Sequence, residues 1–354
     1  MATLGKDKAP VSKAFGKVLV SIPRWKERWP FLHKALEYLG KQSNLKVDDW
    51  SLDAAWDGID ENYKLRRILR DPYPPWPSLV PKNRGLYLQH PHPLWDSFWV
   101  LAGWELRRAV ADVYGTRVQR FLTKRLLEGK EITKRFRKLD PDGDTIVTTN
   151  YDLLVEGMAR VHWTEARNYL RKADFMARKS LDLKTIGPII IKLHGSLDWV
   201  FGTSWLSGPS KTRNYVERAK GSRPMTDKDI DLHKDGWELR PLLLAPVKYK
   251  DEMLMPGNQP DEVVEVLTAQ WARFRDALDC ADEMHVFGYG FPRDDAYGVR
   301  ILQEAARKRA PNHMLQVFLN LPDHEAGNVA ARLKGQIFFR PKSVRFHCCG
   351  SIPS

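Results

Sequence analysis

Two textures of hydrophobic patterning divide the chain. In residues 24–140 apolar positions recur every three or four residues. Trp25, Trp29, Leu32, Leu36 and Leu39 share one helical face. Trp95, Phe98, Trp99, Leu101, Ala102 and Leu106 predict another helix, followed by a further set, Val110, Val113, Val118, Phe121 and Leu122. The stretch Pro72–Pro81 must be a loop, because proline lacks an N–H and its ring breaks helices. From residue 144 short apolar runs take over: Ile146–Val147, Ile189–Leu193, Leu242–Ala245, His285–Phe287, Leu315–Leu319 and Ile337–Phe339. Their length suits strands buried on both faces. Helical patterns lie between them, over Val263–Leu278 and again after Asp294–Asp295 through Val299, Ile301, Leu302, Ala305 and Ala306. Strands alternating with helices predict an α/β fold with a doubly wound, mostly parallel sheet of Rossmann-like type carrying helical insertions.

The domain reading is one domain over 1–354, with a mostly helical portion at 24–140 and the Rossmann-like core at 144–340. Residues 201–240 are polar, basic and weakly periodic, and read as a long surface insertion. Lys211, Arg213, Arg218, Lys220 and Arg223 give it its charge.

Composition adds limits. Charged residues at 29% and hydrophobic ones at 43% are a globular balance and exclude disordered and fibrous classes. No apolar run approaches a membrane span, and the polar opening is not a secretory leader, so a cytoplasmic protein without membrane contact is expected. Three cysteines, Cys280, Cys348 and Cys349, cannot form a disulfide framework or a four-cysteine zinc module. The net charge of +13 favours acidic partners, among them nucleotide phosphates and nucleic acid. Asp140, Asp142 and Asp144 echo a calcium loop but place glycine wrongly. His90 and His92 alternate with prolines and read as structural, so no metal is expected.

Ligands of doubly wound sheets sit beyond the carboxyl ends of the strands, so the residues after each run carry the chemistry. They are Thr148-Thr149-Asn150-Tyr151-Asp152, Lys192-Leu193-His194-Gly195-Ser196, Gly288-Tyr289-Gly290-Phe291 and Asn320-Leu321-Pro322-Asp323. Together they offer amides, carboxylates, an imidazole suited to proton transfer near neutral pH, and glycine turns that admit a phosphate or ribose.

The set in this order resembles the sirtuin-like family, particularly its bacterial NAD-consuming members associated with phage defence. "TTNYDLLVE" (148–156) resembles the family's Asn-x-Asp motif, "KLHGSLDW" (192–199) its catalytic His-Gly motif, and "GYGFPRDD" (288–295) its third, glycine-turn motif. "LNLPD" (319–323) sits where the family has a ribose-binding asparagine. The resemblance spans about residues 144–325 and implies NAD as substrate. It implies His194 as general base, Asn150 as the group orienting the attacking hydroxyl or water, and Asp152 as a brace. It implies Thr149, Gly195, Gly288, Tyr289 and Gly290 along the ribose and phosphates, and Asn320 at the adenosine end. The activity implied is cleavage of the nicotinamide–ribose bond by an antiphage effector, controlled by oligomerisation or a partner protein. The alternative is a degenerate nucleotide-binding or scaffold module of a defence or nucleic-acid-associated complex.

Three departures qualify the match. The cysteine count points away from zinc-bearing deacetylases toward the zinc-free hydrolases. Gly290 stands where the family often has serine, which removes one hydroxyl contact. The family's opening strand and Gly-Ala-Gly loop, whose bare N–H groups cradle the pyrophosphate, have no counterpart. Gly5 reads as a remnant of that loop, followed by Lys6–Lys17, and Val18–Val20 as a substitute strand. The expectation is a chain that starts late or a degenerate site.

Overall fold

The computed structural model describes residues 14–69, 98–123, 131–136, 138–139, 144–152, 154–155, 189–205, 212–218, 237–243, 261–287, 289–291, 296–309, 313–336 and 344–349. Gly5, the loop Pro72–Pro81, His90, His92, Gly288 and the run Ile337–Phe339 lie outside them.

The first part is helical: α1 (Phe15–Val20), α2 (Trp25–Arg28), α3 (Pro30–Ser43), α4 (Leu52–Leu69), α5 (Phe98–Thr123) and α6 (Glu131–Phe136), with a 3₁₀ turn at Val47–Asp49. Val18–Val20 is therefore helix, not strand. Phe15 and Leu19, four apart, are both fully buried, whereas Val20 is exposed; one inward face is a helical period.

The predicted run from Trp25 to Leu39 is two helices. Pro30 occupies the first position of α3, where its missing N–H costs nothing, and its ring bars α2 from continuing through Trp29. Trp29 offers no side-chain cap. Glu105 Oε2 on α5 does that work from across the core, accepting the Leu32 N–H at 2.9 Å. All five predicted apolar residues are nonetheless buried. At the other end α3 stops on Asn44, which adopts the left-handed conformation at φ 55°. The region expected as two helices after residue 95 is the single 26-residue α5. It packs on α3 and α4 through Trp99, Ala102, Leu106, Ala109 and Val113.

The strands form three ladders. β1 (Thr145–Thr148) pairs in parallel with β2 (Ile189–Lys192). β3 (Gly195–Trp205), β4 (Thr212–Arg218) and β5 (Trp237–Leu243) form an antiparallel sheet with β3 at its centre. Helix α7 (Asp261–Cys280) leads to β6 (Glu283–Phe287), α8 (Ala296–Lys308) to β7 (Leu315–Asn320), and α9 (Asp323–Gln336) to β8 (Val344–Cys348). These last three strands are parallel, in the order β6–β7–β8. The architecture is thus mixed α/β with parallel-strand sheets.

Within the stretch 201–240, residues 201–205, 212–218 and 237–240 belong to β3, β4 and β5. Antiparallel strands tolerate one solvated face, so their sequence carries no continuous apolar run. The run at Leu242–Ala245 begins as the end of β5, an antiparallel edge strand that accommodates Pro241, rather than as a parallel strand. β8 had no apolar run to announce it, because Arg345 and His347 alternate with the core-facing Val344 and Phe346.

Two hydrophobic cores result. One joins the helices to Leu197, Trp199 and Leu243 of the antiparallel sheet. The other lies against the parallel strands and includes Ile191, Leu193, Val286, Val317 and Leu319. Helix α7 serves both: Val266 and Leu267 enter the first, Trp271, Phe274 and Leu278 the second.

Candidate functional site

The tip of the β1–β2 pair lies where the two cores meet. Thr148 and Lys192 are register partners, so Asn150 and His194 each stand two residues beyond the same rung. This places the amide and the imidazole side by side in the topology although 44 positions separate them in the chain.

Backbone hydrogen bonds lock the two loops together. Leu193 N–H donates to Thr148 O at 3.0 Å and Leu197 N–H to Tyr151 O at 2.9 Å. The Asn150 N–H is held by Thr148 Oγ1 at 3.1 Å, which turns the chain sharply after β1. On the other loop Gly195 adopts φ 82°, a conformation that a side chain would strain. Leu193 belongs to the strand core and Leu197 to the helical core, so His194, Gly195 and Ser196 cross the seam between them.

Within this frame Asn150 is exposed, Thr149 half-buried, and Asp152 and His194 buried. The His194 ring lies between two aromatics, 6.2 Å from Tyr151 and 6.1 Å from Trp271, measured between ring centroids. Trp271 meets Tyr297 of α8 edge-on at 4.7 Å. The Trp271 indole N–H is buried and has no hydrogen-bond partner among the described residues.

Asp152 accepts the Leu154 N–H at 3.0 Å through Oδ1, capping the helical turn that begins there. Burial pushes its carboxyl above the ordinary aspartate range; the nearby Lys192 charge and the Leu154 hydrogen bond oppose that rise. Lys192, itself buried, donates its Nζ proton to the Asp152 backbone carbonyl. The Lys192 N–H faces away from β1 and donates to Gln270 Oε1 of α7 at 3.3 Å.

The tips of β6 and β7 form a second cluster. Phe287 and Asn320 are register partners, so Tyr289 and Gly290 continue past the rung that Asn320 closes. Asn320 is buried, its amide donating to Phe318 O at 3.2 Å. Tyr289 and Gly290 are half-buried, and Tyr289 packs edge-on against Phe291 at 4.8 Å. Phe291 takes the left-handed conformation at φ 48°. Arg332 of α9 holds this turn by donating to the Gly290 and Phe291 carbonyls.

Sequence reasoning named Lys192 among the strand-tip residues without giving it a role, and missed Gln270 and Trp271 as site residues. A glutamine on the apolar face of α7, four residues after Val266 and four before Phe274, was the available signal.

The chemistry open to the first cluster is proton transfer at His194 beside an amide that reaches solvent, framed by aromatic faces. The second offers a glycine turn and an amide. Among the described residues no group of three or more histidines, cysteines or acids is gathered as a metal would require. No described helix is long and apolar enough to cross a membrane.

A search among curated proteins finds no match to this chain. The family model described as the SIR2-like domain matches residues 144–232, which hold both the Asn150 loop and the His194 loop. That match supports a sirtuin-like family for this chain and, with it, an NAD-related function.

Proposed function

We propose that the chain binds NAD across the carboxyl ends of its parallel strands and hydrolyses the bond between nicotinamide and ribose. The supporting observation is the hydrogen-bonded union of the Asn150–Asp152 loop with the His194–Ser196 loop, both inside the SIR2-like match. This reading treats the two parallel ladders as parts of one doubly wound sheet in a single domain. NAD is the substrate, and no metal takes part.

The residues suit such a ligand. Asn150 reaches solvent at the strand tip, Gly195 turns the loop without a side chain, and the Trp271 N–H is a buried donor without an acceptor among the described residues. In the reaction the electron pair of the nicotinamide–ribose bond leaves with nicotinamide. A water oxygen bonds to the ribose carbon, and His194 takes the water's proton and returns it to solvent. Asn150 orients the attacking water. Asp152, held by Leu154 and balanced by Lys192, fixes the loop on which Asn150 sits. Thr149, Gly195, Gly288, Tyr289 and Gly290 line the ribose and phosphates, Asn320 meets the adenosine end, and Gly5 belongs to the pyrophosphate side. The products are nicotinamide and ADP-ribose. The setting is cytoplasmic antiphage defence, with activity gated by self-assembly or a partner protein.

The test is NAD turnover by the purified protein and by His194→Ala and Asn150→Ala, with nicotinamide release followed chromatographically. Loss of the base should lower the rate by roughly 10²–10⁴-fold. Equal rates in all three proteins would remove both residues from the chemistry. A second reading, a nucleotide-binding scaffold without turnover, is favoured by the burial of His194 at 5% exposure. Calorimetry that finds ADP-ribose binding and no nicotinamide release selects it.

A further inference from the structure

We propose that the outer face of the β6–β7–β8 sheet is self-complementary, and that two copies of the chain pair on it reversibly about a twofold axis running along β7. This gives the self-assembly in the reading above a surface. Its test uses no dinucleotide, so either can fail alone.

The register sets the face. Met284, Val317 and Phe346 share one row and Val286 and Leu319 the next, on the side where Leu302, Ala305, Ala326 and Val329 of α8 and α9 complete the core. The opposite side opens with the row Glu283–Gln316–Arg345 and continues with His285–Phe318–His347. Parallel sheets are ordinarily covered on both sides. Here Phe136 of α6 packs on one corner, 6.3 Å from Phe287 between ring centroids. Phe287 nevertheless remains 37% exposed, and the side chains of His285 and Glu283 46% and 58%.

The middle row shows what suits this face. Phe318, on the central strand, lies between two imidazoles, 4.5 Å from His285 and 4.6 Å from His347, with ring planes within 7° and 13° of parallel. These separations approach the strand spacing of ~4.8 Å, so the rings stand upright and turn their edges outward. Glu283 Oε2 accepts from His285 Nε2 at 3.1 Å and Gln316 Oε1 from His347 Nε2 at 2.7 Å, which holds the imidazoles in place. A nucleobase needs an open ring face, and both faces of Phe318 are taken. The two rows carry one carboxylate and one guanidinium, in a chain of net charge +13. A phosphate-binding surface would be basic here.

The two charges stand at opposite ends of one row, with the uncharged Gln316 between them. Rotation by 180° about an axis along β7 exchanges β6 and β8. It sets each Glu283 opposite the partner's Arg345 and brings Phe318 onto the axis. An axis across the strands would instead set Glu283 over an uncharged row. Three strands, each with about five residues of ~3.3 Å, present roughly 240 Å². That is below the ~800 Å² per partner of a standard stable interface. The pair is therefore transient, with a dissociation constant on the order of 10–100 µM.

The experiment is sedimentation velocity on the full chain from about 1 to 300 µM, a range that brackets this constant. Wild type should pass from monomer to dimer. Glu283→Arg and Arg345→Glu each place like charges at both contacts, because a twofold interface counts every change twice. Each should weaken dimerisation at least about tenfold, with circular dichroism unchanged. An equimolar mixture of these two variants should regain the dimer, since each supplies the charge the other lost. The double exchange Glu283→Arg/Arg345→Glu should regain it as well. A wild type that stays monomeric, single variants that pair as wild type does, or a mixture no more dimeric than its parts overturns the proposal. So does a labelled oligothymidylate whose binding falls in Arg345→Glu while no dimer forms, which would make the face a nucleic-acid surface.

Discussion

The helical core and the strand core bury polar groups for different ends. In the helical core Glu105 is spent on scaffolding: it replaces a missing helix cap at Leu32 and lies among large aromatic side chains such as Trp29, Phe98 and Trp99. In the strand core the packing residues are mostly aliphatic. The buried polar groups, Asp152, Lys192, His194, Gln270 and Asn320, collect around the strand ends. Burying a polar group is costly wherever it happens. A cap repays that cost locally, by satisfying one backbone donor. At the ends of β1 and β2 a cluster of an acid, an amine, an imidazole and an amide exceeds what two strand ends need, which marks the seam between the cores as the place to look for chemistry.

The contrast can be tested, and the largest effect should come from the aromatic side. Trp99→Ala should destabilise the protein by about 4 kcal/mol through the cavity it leaves. Because α7 feeds both cores, the loss should appear in one cooperative transition seen alike by circular dichroism and fluorescence. Two separate transitions, with only one moved, would mean that the cores are independent. Next, Lys192→Met should cost about 3 kcal/mol near neutral pH, because it strands a buried carboxylate. The Asp152 carboxyl is already raised by burial, so its contribution to stability is full below the ordinary aspartate range and fades as pH rises through the raised value. Losing the lysine raises it further. The deficit against wild type should therefore shrink as pH falls through the raised range and be gone by about 4, where the carboxyl is neutral in both proteins. A deficit that does not change with pH would make Lys192 a packing residue only. Glu105→Ala should cost about 2 kcal/mol by orphaning the Leu32 N–H, with no change in nucleotide affinity. An altered affinity would blur the division between scaffold and site. Smallest of all, Lys308→Ala, which removes a 2.7 Å surface pair with Asp279, should shift stability by less than about 1 kcal/mol.

Helical periodicity named the buried faces well, because each apolar residue between Trp25 and Leu39 must turn inward whatever the helix does at its ends. It missed the break at Pro30, since a proline permitted at a helix start reads identically to one that interrupts a helix until the preceding dihedral is seen. The strand runs at 146–147, 189–193, 285–287 and 315–319 were legible because strands of parallel ladders carry consecutive apolar residues. The antiparallel strands between 195 and 243 were hidden by their polar alternation. The Asn150 and His194 loops could be paired from sequence through the resemblance alone; the register Thr148–Lys192 is what makes them neighbours. Gln270 escaped notice and Lys192 received no role because each looks like a single polar interruption of an apolar pattern. Their roles exist only once β1, β2 and α7 are brought together.

The hydrogen bond from Lys192 N–H to Gln270 Oε1 also bears on how the molecule behaves when crowded. A strand flank with unsatisfied amides is a template on which another chain can polymerise. At this position the flank of β2 is closed by a helix side chain, so an incoming strand would first have to displace α7. Self-association through added strands is blocked there, and concentrated protein is protected at that flank from one route into fibrous aggregates.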